Sequence, residues 1–233
     1  MIYRRLAVVA LILVVVLPVL LMLKPGFQGE VSQPPVAGKI LLPEPRYRGQ
    51  MSVEEAIAKR RSIREYSSEP LKLWELGQLL WAAQGITSPD GKRAAPSAGP
   101  TYPFEVYAVV GNVEGLPPGI YHYVPKGHYL EPVKSGDFRG KLQAAALNQE
   151  WVGKAAVDIV LVAFYERTTK VYGDRGIRYV HMEAGHIGEN IYLQATALGL
   201  GTVAVGAFDD GRVARIIGTT GDPLYIFPVG RRV

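Results

Sequence analysis

Arg60, Arg61 and Arg64 surround Ser62 in the segment Arg60-Arg61-Ser62-Ile63-Arg64-Glu65-Tyr66. An arginine presents a planar fork of N–H donors that matches a phosphate, and a serine hydroxyl among such forks bonds a phosphate or polyol oxygen. The same residues also suit a solvated basic helix end, favoured by the partial negative charge of a helix C-terminus. Two further cations, Arg231 and Arg232, follow Pro228-Val229-Gly230 at the far end of the chain. Two segments of small residues lie between. Ala95 to Phe104 contains Ser97 and Gly99, which permit close backbone approach to a flat ligand. Ala197 to Phe208 carries Gly199, Gly201 and the pair Gly206-Ala207, where bare backbone N–H groups could face a ring system.

The segment His181-Met182-Glu183-Ala184-Gly185-His186 raises the question of a metal. Ligands on one helix face need a spacing of four, as in His-Glu-x-x-His. Five residues turn a helix through about 500°, so the two imidazoles diverge by roughly 140°. No metal site is expected, and His186 reads as a packed histidine. The chain has no cysteine, which removes disulfides, thiolate metal sites and cysteine nucleophiles. Lys and Arg number 26 against 21 Asp and Glu, a net charge of +5. That balance permits an anionic partner, but the basic residues are scattered, so no nucleic acid partner is expected.

The elements that must position these residues follow from patterning. Ser52 and Glu55 have the capping-box spacing, so a helix should run from Val53 to about Arg60. A second helix should span Leu73 to Ala83, with Gly85 beyond its end. Phe104 to Val110 reads as a strand, and Ile120–Val124 and His128–Val133 flank Pro125-Lys126-Gly127 as a hairpin. The apolar run Val157 to Phe164 suits a strand covered on both faces. A long helix is expected over Arg178–Leu198, then a strand over Thr202–Phe208. Asp209 or Asp210 should cap a short helix through Ile217, and a last strand should span Leu224–Val229. The order implies an α+β domain over residues 51–233, a mixed sheet flanked by helices.

Before that domain, Leu6 to Leu23 is unbroken apolar sequence, preceded by Arg4 and Arg5 and followed by Lys24. At about 1.5 Å per residue it reaches roughly 27 Å, close to the hydrocarbon core of a bilayer. Residues 1–24 are therefore expected to be an uncleaved transmembrane anchor, and 25–50, rich in Pro and Gly, a linker. Leu41-Leu42-Pro43 within the linker has the character to pack on the domain. Arg4 and Arg5 favour the cytoplasmic side, which would place the domain outside the cytoplasm.

Taken together, the Arg60–Tyr66, Ala95–Phe104, Ala197–Phe208 and Pro228–Arg232 segments resemble the nitroreductase superfamily, and most closely its SagB-type, azoline-oxidising dehydrogenase branch. The likeness covers about Ser52 to Arg232. It implies an FMN-dependent oxidoreductase that is a homodimer with FMN at the interface, acting on a small-molecule or peptide substrate. It further implies that Arg60, Ser62 and Arg64 hold phosphate and ribityl oxygens. Arg61 would face the cofactor, and Arg231 would close on the phosphate. Gly206 and Ala207 would approach flavin N5, and Ser97 and Gly99 would lie near the flavin across the interface. Many simple nitroreductases have a Ser-x-Asn-x-Gln-Pro pattern where this chain reads Ser97-Ala98-Gly99-Pro100-Thr101-Tyr102-Pro103. Tyr102 and Tyr165 are the candidates for a proton-donating or proton-accepting side chain. The same segments would serve a flavin-binding module without turnover.

Overall fold

The computed structural model describes residues 38–233. The expected anchor and the first half of the linker lie outside the described residues. Among the described residues no helix is long and apolar enough to cross a membrane.

In chain order the elements are β1 (Ile40–Leu41), α1 (Val53–Lys59), α2 (Leu73–Gln84), β2 (Phe104–Val110), β3 (Gly119–Val124), β4 (Tyr129–Ser135), α3 (Arg139–Ala145), α4 (Glu150–Lys154), β5 (Val157–Ala163), α5 (Glu166–Tyr172), α6 (Arg175–Ala197), β6 (Leu200–Thr202), α7 (Asp210–Ile217) and β7 (Asp222–Arg231). The strands form one sheet in the order β1-β4-β3-β2-β5-β7-β6. The expected mixed sheet is corrected: each neighbouring pair of strands in it is antiparallel. The reason is topological. The helical crossover from β5 to β6 carries the chain back in the same direction, but β7 inserts between those two strands, so no parallel ladder forms.

β5 is buried along its whole length, as its unbroken apolar run requires. On one face of the sheet Leu76, Leu80, Phe104, Ile159, Ile187 and Phe227 pack together, joining α2 and α6 to the strands. On the other face Leu142, Val152, Val160, Val203, Val213 and Ile226 pack under α3, α4 and α7. Each side chain so buried contributes roughly 1.5–3 kcal/mol of transfer free energy. Within α6, Val180, Ala184, Ile187, Ile191 and Ala195 keep helical spacing on the inner face. Its 23 residues span about 34 Å, and it packs on the β7–β6 edge of the sheet.

Local signals hold where they rest on side-chain capping. Ser52 Oγ accepts the Glu55 N–H at 3.1 Å, and a Glu55 carboxylate oxygen accepts the Ser52 N–H at 3.1 Å. Asp209 accepts the Arg212 N–H at 2.8 Å and starts α7. Three helices, α3, α4 and α5, were not expected; each is short and none has a side-chain hydrogen bond at its N-cap. The strand expected over Thr202–Phe208 stops at Thr202, and beyond it only Val205 pairs, through reciprocal bonds with Ile226 of 2.8 and 2.9 Å.

The linker is shorter than its composition suggests. Ile40 and Leu41 add an edge strand to β4, and Leu42 is only 6% exposed. Arg46 exchanges two hydrogen bonds with Gln78, of 2.8 and 3.1 Å, and its guanidinium lies 3.8 Å from the Trp74 ring centre. Leu42→Ala in the full chain should cost about 2–4 kcal/mol in denaturant unfolding; an unchanged midpoint would show that residues 40–46 are not part of the folded unit.

Candidate functional site

The Arg60–Tyr66 segment leaves α1 and runs along the end of the sheet. Ile63 N–H donates to Thr202 O at 2.9 Å, Ser67 N–H to Arg231 O at 3.0 Å, and the Tyr66 hydroxyl to Ile63 O at 2.8 Å. The segment can lie so close only because its neighbours lack side chains. A Cβ on Gly201 would sit 2.6 Å from Ile63 Cγ2, and one on Gly230 2.6 Å from Tyr66 Cγ. Both distances are shorter than real Cβ contacts, so the glycines are a condition of the site's geometry.

The cations then divide by role. Arg61 donates to Ala58 O at 3.2 Å and Arg60 O at 2.6 Å, satisfying carbonyls at the end of α1. It fulfils the helix-end role set out above as the alternative to anion binding. Arg60 lies over the Tyr192 ring at 5.1 Å, and Arg64 over the Trp151 ring at 5.3 Å. Among the described residues neither has a carboxylate partner. Their aromatic neighbours hold them without neutralising them.

Tyr192, on α6, ties the first and third segments together. Its hydroxyl accepts the Ala204 N–H at 2.8 Å and shares a hydrogen with Ser62 Oγ at 3.0 Å. Two residues on, Gly206 and Ala207 are exposed, and Ala207 O is held by Gln149 Nε2 at 2.8 Å, beside Trp151. Among the described residues no hydrogen bond ends on the N–H of Gly206 or Ala207. Ser62, Ile63, Arg64, Glu65, Arg232 and Val233 line an open cavity of about 310 Å³. Sequence reasoning missed Tyr192 and Trp151 as parts of this wall, and named Arg232 only as a second cation beside Arg231.

Arg231, expected to close on a phosphate, has a carboxylate partner within the chain. Its two NH groups form a fork on Glu75, at 2.9 and 2.8 Å. Glu75 is 4% exposed, and a carboxylate that deep requires a countercharge. Arg232 is the C-terminal arginine that lines the cavity, with Arg64, and is anchored by Nε to Leu200 O at 2.9 Å. Strand alternation was the available signal: adjacent residues point to opposite faces, so Arg231 and Arg232 cannot share a role.

Ser97 and Gly99 are not brought to the arginine wall within one chain. They sit against the N-terminal half of α6 and the end of α5. Ser97 lines a cavity with Tyr179, Met182, Glu183 and His186, and Gly99 lies against the Tyr172 hydroxyl. Glu183 and Tyr192 are nine residues apart on α6, so the two regions are separated by about 13 Å along it. Burial pushes the Glu183 carboxyl up to about 7, while Ser97, Gln84 and Arg93 act in the other direction. The two candidate tyrosines have structural partners. The Tyr102 hydroxyl accepts the Arg93 N–H at 3.2 Å, and its ring lies 4.5 Å from the Arg93 guanidinium. The Tyr165 hydroxyl is 2.6 Å from His181 Nε2, away from the arginine wall.

The scaffold is α+β, an antiparallel sheet flanked by helices, with Ser62, Arg64 and Arg232 together at one cavity. The family model for the nitroreductase family matches residues 57–231, and the chain belongs to that family, whose members are flavin-dependent oxidoreductases. It is 47% identical over 184 residues to a Methanocaldococcus jannaschii protein named as a candidate nitroreductase, MJ1384, spanning 79% of this chain and 93% of that one. A solved candidate nitroreductase from Ralstonia eutropha is 31% identical with a TM-score of 0.73, covering 88% of this chain and 96% of that one. The trifolitoxin-processing protein TfxB of Rhizobium leguminosarum is 30% identical over 114 residues, 47% of this chain and 31% of that protein. The last similarity fits the SagB-like branch.

Glu75→Ala should cost about 3 kcal/mol or more in denaturant unfolding, because it strands Arg231; a neutral result would mean the fork is not a structural requirement. The native Glu183 carboxyl binds its proton more tightly than the unfolded chain, whose ordinary value is 4.5. Its contribution to stability is therefore complete below pH 4.5 and lost as pH rises through about 7. Glu183→Gln should flatten the fall in unfolding free energy across that window, and a pH–stability curve parallel to the wild type would contradict the assignment.

Proposed function

We propose that this chain is an FMN-dependent oxidoreductase of the SagB-type dehydrogenase kind, acting as a homodimer with FMN at the interface. The observation that carries the reading is that Arg60 and Arg64, without carboxylate partners among the described residues, lie over the rings of Tyr192 and Trp151, while the Tyr192 hydroxyl joins Ser62 to the Ala204 N–H, two residues before the exposed Gly206 and Ala207. The donor set fits the group: guanidinium forks and the Ser62 hydroxyl for a phosphate and polyol chain, backbone N–H for the edge of a ring. FMN, when bound, supplies hydride transfer at its N5 atom.

In this reading Arg60, Ser62 and Arg64 bind the phosphate and ribityl chain. Arg232 takes the part expected of Arg231, and Arg61 contributes charge from the helix end. Gly206 and Ala207 orient the ring, and Tyr192 fixes the distance between Ser62 and the Ala204–Ala207 backbone. Ser97 and Gly99 reach the flavin from the second copy. A dimer is supported by the exposed apolar side chains of α1 and α6: Val53 is 65% exposed, Ile57 57% and Met182 51%. Surface of that kind on adjoining helices is what an obligate interface covers. Likeness to a trifolitoxin-processing protein favours a peptide or peptide-derived substrate. The apolar run Leu6–Leu23 favours attachment to a membrane, with the domain on the extracytoplasmic side.

The test is a visible spectrum of the purified full chain, before and after addition of FMN, with reoxidation of the reduced protein followed in the presence of acceptors. A protein that stays colourless after FMN is added refutes the reading. Replacing Arg60 and Arg64 together by Ala should weaken FMN retention roughly 100-fold or more, since each charge-assisted contact is worth about 1.5–3 kcal/mol. Stoichiometric flavin in that double variant would remove both arginines from the cofactor site.

A further inference from the structure

The edge of the sheet that bears β1 carries groups that the arginine wall does not use. Successive residues of a strand point to opposite faces. With Ile40 and Leu42 packed on the core, Lys39 and Leu41 turn outward. Leu41 is 72% exposed, although β1 is paired to β4 and the next residue is buried. Across the ladder Leu41 stands opposite Tyr129, and Tyr129 opposite Val124, so three apolar side chains form one row over three strands. At about 4.8 Å between strands the row is roughly 10 Å long. The core beneath α3, α4 and α7 does not extend to it. Two cations flank the row. Lys39 Nζ lies 4.5 Å from the Tyr129 ring centre, and Lys126 is exposed at the hairpin turn between Val124 and Tyr129.

Among the described residues neither lysine has a carboxylate partner. Glu131 accepts the Tyr129 hydroxyl at 3.2 Å and lies 3.7 Å from His122 Nδ1, so it is engaged along the sheet. Glu44 is exposed beyond Pro43. The row lies on the face of the sheet opposite α6, and so outside the surface assigned above to a second copy. An exposed Leu and a half-buried Tyr beside unpaired lysines suit a lipid headgroup layer. Aliphatic and aromatic groups enter such a layer, and ammonium groups meet its phosphates. The amino-acid sequence brings lipid within range. Fourteen residues, 24–37, separate the apolar run Leu6–Leu23 from Gly38, the neighbour of Lys39. Fully extended they reach about 50 Å at most, so a bilayer that holds the run stays within reach of this edge.

We propose that the β1–β4–β3 edge is a docking surface for an anionic lipid bilayer, with Leu41 and Tyr129 set into the headgroup layer and Lys39 and Lys126 on its phosphates. The proposal rests on the membrane attachment read from Leu6–Leu23, and adds that the folded domain itself touches lipid. Docking there also orients the domain. β7, which carries Arg231, is five strands from β1 in the sheet, roughly 24 Å at about 4.8 Å per strand. The arginine wall then stands away from the bilayer, open to a substrate arriving from solution.

The chain has no cysteine, so Leu41→Cys and Leu147→Cys each take a single fluorophore. Leu147, 65% exposed and two residues from the Gln149 that bonds Ala207, is the reference position. The full chain is reconstituted into vesicles of phosphatidylcholine with about a third phosphatidylglycerol, some lipids bearing a nitroxide quencher near the headgroup. The label at 41 should be quenched about threefold more than the label at 147. Lys39→Glu together with Lys126→Glu, or vesicles of phosphatidylcholine alone, should remove about half of that difference or more. All these positions are exposed, so the substitutions leave the core intact. Equal quenching at 41 and 147 overturns the docking surface. So does a label at 41 that is shielded from aqueous iodide yet untouched by the lipid quencher, because a second copy then covers the edge. Quenching unchanged by charge reversal and by neutral lipid overturns the anionic surface. Extraction with alkaline carbonate reports attachment separately. A chain that resists extraction without excess quenching at 41 sinks the docking alone, whereas one quenched at 41 but stripped by carbonate sinks the anchor alone.

Discussion

A strand buried on both faces cannot stand without cover on both sides, and β5 is such a strand from Val157 to Ala163. That constraint organises the domain. One face takes α2 and α6, the other takes α3, α4 and α7. Because α6 is 23 residues long, its two ends lie at different places on the surface. Tyr192 stands near its C-terminal end among the arginines, and Glu183 stands in its N-terminal half beneath the Pro96–Ala98 loop. The same burial encloses Asp158, whose carboxyl oxygens have no hydrogen-bond partner among the described residues and whose proton affinity is pushed well above that of a free aspartate. The core tolerates that residue as a neutral acid.

Charge at the arginine wall is decided by competition for partners. Of the cations gathered there, Arg231 goes to a buried carboxylate and Arg61 to helix carbonyls. Arg60 and Arg64 face only aromatic rings among the described residues. A guanidinium over a ring keeps its charge and most of its donors. The pairing of Arg231 therefore sharpens the site: it subtracts one cation and shows which others remain available to an anion.

The regions around Ser62 and Ser97 are two separate cavities of different character. The first presents cations and backbone donors, the second a small-residue loop over a cavity with a carboxyl at one end. They are carried by one helix and are about 13 Å apart along it. In the proposed reading a two-fold arrangement would bring the Ser97 loop of one copy to the arginine wall of another.

The amino-acid sequence by itself determined whatever depends on neighbours along the chain. The capping box at Ser52, the cap at Asp209, the hairpin around Pro125-Lys126-Gly127, the buried run of β5 and the extent of β2 were all legible. Hydrogen bonds and side-chain periodicity act over a few residues, so they leave a local pattern. The nearness of Ser62 and Arg64 to the C-terminal arginines was legible through the order and spacing of the segments, as Arg232 lines the same cavity. The tertiary structure alone decided the partners of the charges. Arg231 and Glu75 are 156 residues apart, and Ser62 and Tyr192 are 130 apart. No local pattern announces either pair. The antiparallel order of the sheet, the docking of Ile40–Arg46 and the burial of Glu183 belong to the same class. Each depends on which distant surfaces meet, because the burial that sets a charge's partner is a property of the assembled core.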